Sequence, residues 1–303
     1  MNTAAAIRPA NFTRTSSSLV AKYLKTGRWH LIPLYWLLRQ SDLAREGIEH
    51  SGSYRFADHL YAKVPSGRGL FGRWLDKRLL DLPAACGMRA RYKEAVKVMH
   101  RVFAAHQERH PGKPFRLLTV PCGIPRDVRD FVLSLPPEQR ALVEYSACDI
   151  DPDVIAAARD FLAPLSELAA RFHCGDALDS ATLPAARFDF IASTGLGEFL
   201  DDTRLAVFYA NVHHLLARDG AFYTSATAWE RRSVWLVKTF ELEAHYRDRA
   251  TFERLLRSCP WQSLSLWHDA TRLQTFALAA EPDSSIPHGT KRGEPLAGEG
   301  DCP

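Results

Sequence analysis

LVEYSACDIDPDVIAAARDFLA, residues 142–163, reads as a strand that hands over to a helix. The strand runs over 142–150 and the helix over 152–163. Between them Asp151 is placed to cap the helix, and Pro152 suits its first position. Upstream, 116–120 is a strand followed by a turn and a helix at 128–135. Downstream, 169–174 is a short strand, and 188–193 is apolar nearly throughout, as a parallel strand covered on both faces should be. A helix at 205–217, ending near Gly220, leads to a strand at 221–226. A helix at 251–258 precedes a closing antiparallel pair at 264–267 and 275–279. Strands alternating with helices in this way demand an α/β fold: a doubly wound, mostly parallel, seven-stranded sheet with helices on both faces.

Outside that core the texture changes. Residues 1–17 form a polar lead expected to be mobile, and 18–110 a helical extension. The aromatics Tyr23, Trp29, Tyr35 and Trp36 space its first helices, which Pro33 is expected to interrupt. The core occupies 111–280, and 281–303 is Pro/Gly-rich, polar and expected to be disordered. Of 303 residues, 46% are hydrophobic and 24% charged, which excludes a chain disordered throughout, a collagen-like fibre and a small disulfide scaffold. The net charge of +4 is unevenly spread. Residues 1–110 carry 19 Lys and Arg against 8 Asp and Glu, and the remainder 20 against 27. A basic extension suits an anionic substrate, a membrane surface or nucleic acid, or is simply solvated helix surface.

No uncharged apolar run approaches the roughly 18 residues of a membrane span. The densest, 29–38, is ten residues between Arg28 and Arg39. It could equally be an interfacial helix, a tunnel wall or plain core. Without an apolar signal core the chain is expected to be cytoplasmic, with peripheral contact at the inner membrane an open option. Cys86, Cys122, Cys148, Cys174, Cys259 and Cys302 form no CxxC pair and no zinc spacing, so six free thiols and no metal are expected.

Ligands of a doubly wound sheet bind outside the carboxyl ends of its strands. Asp149, closing the second strand, is suited to a ribose diol, since a carboxylate has two acceptor oxygens for two vicinal donors. Asp176, after the third strand, can accept from an exocyclic amine such as that of adenine. Helix and turn capping is the plain alternative for each; the two together point to an adenosine-type ligand.

The order of these segments resembles that of class I S-adenosylmethionine-dependent methyltransferases over about residues 90–280. The resemblance is carried by CDIDPDVIAAAR at 148–159, HCGDALD at 173–179, FDFIASTGLGEFLDD at 188–202 and LLARDGAFYTSAT at 215–227. The family's first turn, D-x-G-x-G-x-G, is here TVPCGIP at 119–125. Only Gly123 is kept; Thr119 replaces the acid, and prolines replace two glycines. The resemblance implies a Rossmann-like fold, S-adenosylmethionine as cofactor, S-adenosylhomocysteine as product and no metal. It assigns cofactor contacts to Cys122, Gly123, Arg126, Asp127, Asp149, Ile150, Asp176, Ala177 and Thr194. It also implies a lid over the methionine end, and YRFADHLY at 54–61 is of that type: Tyr54, Asp58 and Tyr61 share one helical face. With the acid lost at Thr119, Asp127 or Asp58 is expected to take the cofactor's ammonium, and Arg126 or Arg55 its carboxylate. A charged first helical turn is the equal alternative for Arg126 and Asp127.

Methyl transfer from a sulfonium needs positioning more than acid–base help. His59 in the lid and Glu198 after the fourth strand are the catalytic candidates; a cap or surface carboxylate is the alternative for Glu198. The basic, aliphatic extension suits an apolar substrate with an anionic head, with Arg55, Tyr61, Lys63 and Arg68 as candidate contacts. SGSYRFADHLY and VPCGIPRD resemble the bacterial methyltransferases that make 3-hydroxypalmitic acid methyl ester, a quorum-sensing signal. That implies O-methylation of a 3-hydroxy fatty acid carboxylate. Another small molecule, a lipid head group and a non-catalytic scaffold stay open as alternatives. A nucleic-acid substrate is disfavoured because no [DN]-P-P-[YF] motif follows the fourth strand. Oligomeric state is not legible.

Overall fold

A computed structural model describes residues 12–13, 16–51, 54–230 and 244–280. The expected tail, Cys302 and most of the lead lie outside the described residues. The chain divides into two compact units: one runs up to Arg89, and the other from Ala90 through Glu230 and again from Ala244.

In the second unit the expected sheet is present. Its strands are β1 (Phe115–Thr119), β2 (Val143–Asp149), β3 (Ala169–Cys174), β4 (Phe188–Ser193), β5 (Leu216–Thr227), β6 (Ser263–His268) and β7 (Gln274–Ala280). They lie in the order β3-β2-β1-β4-β5-β7-β6, parallel except for β7, which runs antiparallel to both neighbours. β1 is central, pairing Leu117 with Tyr145 of β2 and with Phe190 of β4. The chain therefore winds outward on one side of β1, then crosses to β4 on the other. That reversal opens a crevice at the carboxyl ends of β1 and β4.

Both faces are packed, which is why every residue of β4 is buried. One face carries Ile191, Phe222 and Ala279 against Phe208 and Tyr209 of helix Asp202–Leu215 and Phe252 of helix Arg249–Leu256. On the other face Phe103, from helix Pro83–Arg109, meets Phe115 and Phe131 edge-on at centroid distances of 5.4 and 5.8 Å. Phe131 belongs to helix Arg126–Ser134. The helix after β2, Pro152–Leu162, starts as read: the Asp151 side chain accepts from Asp153 N, with Pro152 first.

One boundary needs correction. Helix Asp202–Leu215 stops two residues short of 217, and β5 starts at Leu216 with no loop between. Gly220 does not terminate the helix. It lies at a register shift between β4 and β5, where an added Cβ would meet the Phe188 carbonyl oxygen at 2.8 Å.

The first unit contains α1 (Ser16–Lys25), α2 (Leu31–Leu38), α3 (Asp42–Glu49), α4 (Tyr54–Ala62) and α5 (Gly69–Leu80), then the start of helix Pro83–Arg109. Phe12 and Thr13 of the expected lead pair with Ser51 and His50. Pro33 does not interrupt α2 but sits in its first turn, where no backbone N–H is needed. Leu19, Tyr23, Tyr35, Leu38, Ala44 and Ile48 form the core, with Leu75 and Leu79 of α5 against it. Asp76 of α5 is fully buried and accepts from Ser41 Oγ, Leu43 N, Ser66 N and Gly67 N. Four donors satisfy a carboxylate that burial alone would expel. Cys86 is disulfide-bonded, so the expectation of free thiols fails there, while Cys122, Cys148, Cys174 and Cys259 are free.

Candidate active site

Three strand ends build one side of the crevice. β2 ends on Asp149, which is only 8% exposed. Its Oδ2 accepts from Gly123 N and its Oδ1 from Asp151 N, both at 3.2 Å. Burial pushes this carboxyl up from its ordinary value, and the two amides pull it back. Ile150, next in the chain, is exposed. After β1, Cys122 is buried, its thiol raised by burial, and its backbone N–H donates to the Cys148 carbonyl at 2.8 Å. Gly123 has φ +50°, and an added Cβ there would meet nothing within 4 Å. The turn therefore presents bare backbone to open space beside Asp149. After β3, Asp176 Oδ1 accepts from Leu178 N at 2.9 Å, and its own N–H donates to Thr182 Oγ1 at 2.9 Å. Asp176 is thus capping its turn, and Ala177 packs on the core while its carbonyl accepts from Asn211 Nδ2.

The altered first turn has a physical explanation. Thr119 is buried, and its Oγ1 lies 2.6 Å from the Tyr145 hydroxyl. A neutral pair thus fills the position where the resembling family carries an acid. The neighbouring carboxylate is Asp127, at the start of helix Arg126–Ser134, whose Oδ1 accepts from Val128 N at 2.9 Å. Burial pushes Asp127 up to about 6, opposed by that hydrogen bond and by the positive charge of Arg91. Arg126 places its guanidinium over the Phe161 ring, 5.2 Å from the centroid.

On the other side of the crevice the sequence supplied Glu198 and Thr194 but not the residues that hold them. Arg91, its side chain 6% exposed, donates from Nη1 to Glu198 Oε1 at 3.1 Å. The same oxygen accepts from Thr227 Oγ1 at 2.5 Å, and Gln274 Nε2 donates to Thr227 Oγ1 at 2.9 Å. Glu198 is therefore the centre of a network and not a surface cap. Gly195, at φ +98°, lets Arg91 approach: an added Cβ would lie 3.1 Å from its Nη2. Thr194 is half-buried just before this turn. Arg247, 4% exposed, holds the loop from below, donating to the carbonyls of Gly197 and Leu200 and to Asp202 Oδ1. Tyr223, Ser225 and Thr227 alternate along β5 and so share one face. Among the described residues the Tyr223 hydroxyl, Ser225 Oγ and Gln274 Oε1 are buried without a hydrogen-bond partner. Polar atoms in that state call for a ligand or water. The alternation in FYTSAT was a legible signal for them; Arg91 and Arg247 had none.

The remaining candidates lie in the first unit. Tyr54, Arg55, Asp58, His59 and Tyr61 are all on α4, as the helical reading required. Arg55 Nε donates to the Tyr54 hydroxyl at 3.4 Å, which raises the Arg55 pKa. His59 Nε2 lies 2.9 Å from the Val64 carbonyl oxygen, 3.3 Å from Ser66 Oγ and 3.8 Å from Asp76 Oδ2. Lys63, at φ +52°, and Arg68, which precedes α5, are exposed.

A family model described as "Putative methyltransferase" matches residues 40–230. The chain belongs to this methyltransferase family. Solved structures agree on the fold. A possible exported protein from Bordetella parapertussis aligns at TM-score 0.70 and 20% identity, over 91% of this chain and all of that one. Magnesium protoporphyrin IX methyltransferase from Synechocystis, crystallised with bound S-adenosylhomocysteine, aligns at 0.50 and 10%, over 74% and 93%. The CurJ carbon methyltransferase aligns at 0.55 and 16%, over 88% and 69%. No curated protein matches. Among the described residues of this methyltransferase, no helix is long and apolar enough to cross a membrane, and no group of three or more His, Cys, Asp and Glu could hold a metal ion.

Proposed function

We propose that this methyltransferase takes its methyl group from S-adenosylmethionine and transfers it to oxygen, the carboxylate of a 3-hydroxy fatty acid. The products are S-adenosylhomocysteine and a methyl ester of the kind used as a quorum-sensing signal. The observation that carries the reading is Asp149: a buried carboxylate closing β2, beside a backbone turn at Gly123 that faces open space. A nucleoside diol suits that carboxylate, and the exposed Ile150 offers an apolar surface to a base. Asp176 and Thr194 extend the same rim, and Asp127 is the carboxylate available to an ammonium.

The cofactor supplies an electrophilic methyl on a sulfonium. A carboxylate oxygen attacks that methyl carbon, the C–S bond breaks, and its electron pair returns to sulfur. The acid is already ionised at neutral pH, so no general base is required. The protein must hold an anion in line and exclude water. Arg91 beside Glu198, with the Tyr223 and Ser225 hydroxyls, supports that role in the second unit. The α4 residues Tyr54, Arg55, Asp58, His59 and Tyr61, with Lys63 and Arg68, belong to the same proposal and are tested by single alanine replacement.

The test has two stages. Calorimetry with S-adenosylmethionine and S-adenosylhomocysteine should show binding that Asp149→Ala removes. Methyl ester formation should then be found with 3-hydroxy fatty acids. A folded protein that binds neither ligand would reject the cofactor reading. Binding without ester formation would reject the substrate reading alone and direct attention to other small molecules and lipid head groups.

A further inference from the structure

We propose that the outward face of α5 docks this protein on an anionic lipid surface. Gly72, Asp76 and Leu80 of α5 are buried, and Leu75 and Leu79 pack on the core of the first unit. Helical spacing leaves Leu70, Phe71, Arg73, Trp74, Lys77 and Arg78 on the opposite arc, and all six are exposed. The exposure is large: 84% for Leu70, 52% for Trp74 and 45% for Phe71. These three are contiguous, with the Phe71 and Trp74 rings 5.8 Å apart. A single exposed leucine is unremarkable, but an apolar cluster on one helical face marks an interaction surface.

The charge around the cluster names the partner. Arg73, Lys77 and Arg78 flank it, and the Arg78 guanidinium lies over the Trp74 ring, 5.6 Å from its centroid. Asp76, the one carboxylate in α5, is buried with its oxygens occupied by Ser41, Leu43, Ser66 and Gly67, so the exposed charges within α5 are all cationic. Exposed apolar surface continues at the end of α2 with Trp36 and Leu37; Arg39, its guanidinium 5.2 Å from the Trp36 ring centroid, is already paired with Glu49 at 2.7 Å. The turn that follows α2 meets α5 directly, because a Cβ on Gly72 would lie 2.2 Å from the Gln40 carbonyl oxygen. Aromatic and aliphatic tips among Lys and Arg are what the headgroup boundary of an anionic bilayer accepts: rings and Leu enter, and cations stay at the phosphates. A second copy of the same face would oppose three cations with three cations, which argues against self-association.

The test uses the full chain with vesicles of phosphatidylcholine, with and without phosphatidylglycerol. Co-sedimentation should require phosphatidylglycerol and weaken at high salt, and the tryptophan emission should shift to the blue on binding. Leu70→Ser/Phe71→Ser/Trp74→Ser and Arg73→Glu/Lys77→Glu/Arg78→Glu should each lower the partition coefficient by about tenfold or more. Leu133→Ser, at an exposed leucine of the second unit, should not. Circular dichroism verifies that each variant is folded. Absence of binding by the folded chain, equal binding to both vesicle types, or binding untouched by either triple variant would overturn the proposal. So would a dimer in sedimentation velocity that the apolar triple variant dissolves, which would assign the face to a second copy.

Discussion

Arg91 and Glu198 stand 107 residues apart in the chain and form a mostly buried ion pair, 3.1 Å between Nη1 and Oε1. Removing one partner strands the other's charge in a low-dielectric setting, which costs about 3 kcal/mol or more. Glu198→Ala should therefore lower the unfolding free energy by about that amount in urea titrations. Glu198→Gln keeps an acceptor for Thr227 and should retain more of the stability. If both are as stable as the parent protein, the pair is not holding the loop after β4.

Asp149→Asn keeps the shape of the site and one acceptor oxygen, but the amide nitrogen cannot accept from Asp151 N or Gly123 N. Its affinity for S-adenosylhomocysteine should fall by about tenfold, and Asp149→Ala should fall further. Isothermal titration measures both. Equal affinity in all three proteins would remove Asp149 from the cofactor contacts.

Asp127 predicts a pH dependence. Its ordinary value is 3.8 and burial raises it to about 6 in the folded protein. Below 3.8 the group is protonated in both states and costs nothing. Between these values the folded state binds more protons than the unfolded state, so stability falls as pH rises. Above about 6 the full cost, about 2–3 kcal/mol, is present. Asp127→Asn should flatten the slope between pH 4 and 6 in urea titrations and be the more stable protein at pH 7. If Asp127 also receives the cofactor's ammonium, binding at pH 6 should release a proton in the parent protein and none in the variant. Buffers of different ionisation heat distinguish the two.

Gly72→Ala tests the junction of α5 with the turn after α2. The new methyl group would overlap the Gln40 carbonyl oxygen, and backbone cannot yield as a flexible side chain can. The variant should lose about 2 kcal/mol or more, read as a fall in the thermal midpoint. A variant with the parent's midpoint would mean that α5 and this turn can separate at little cost.

Much of the core was legible because its punctuation is local. β3 and β4 fall on the residues expected, since short segments bounded by turn residues are read within a short window. The start of helix Pro152–Leu162 was legible for the same reason, through Asp151 and Pro152. The junction of Leu215 and Leu216 was not. No glycine or proline marks it, and the helix ends because Leu216 already pairs with Phe188 of β4. Half of the candidate site was hidden in a similar way. Asp149 and Asp176 sit at strand ends, a position the sheet pattern supplies. Arg91 lies inside a 27-residue helix, and nothing in its neighbours points to Glu198. Thr119 shows the opposite case: a residue that reads as a lost charge is a buried hydrogen-bond partner for Tyr145.

The two amides that Asp149 holds come from different loops, Gly123 after β1 and Asp151 after β2. One side chain thus ties together two loops on the same side of the crevice before any ligand arrives. Ordering a free loop on binding consumes conformational entropy for each residue fixed. Here that ordering belongs to the folding of the chain. If the proposed cofactor binds here, its nucleoside would meet a rim already set, with no closure of these two loops required.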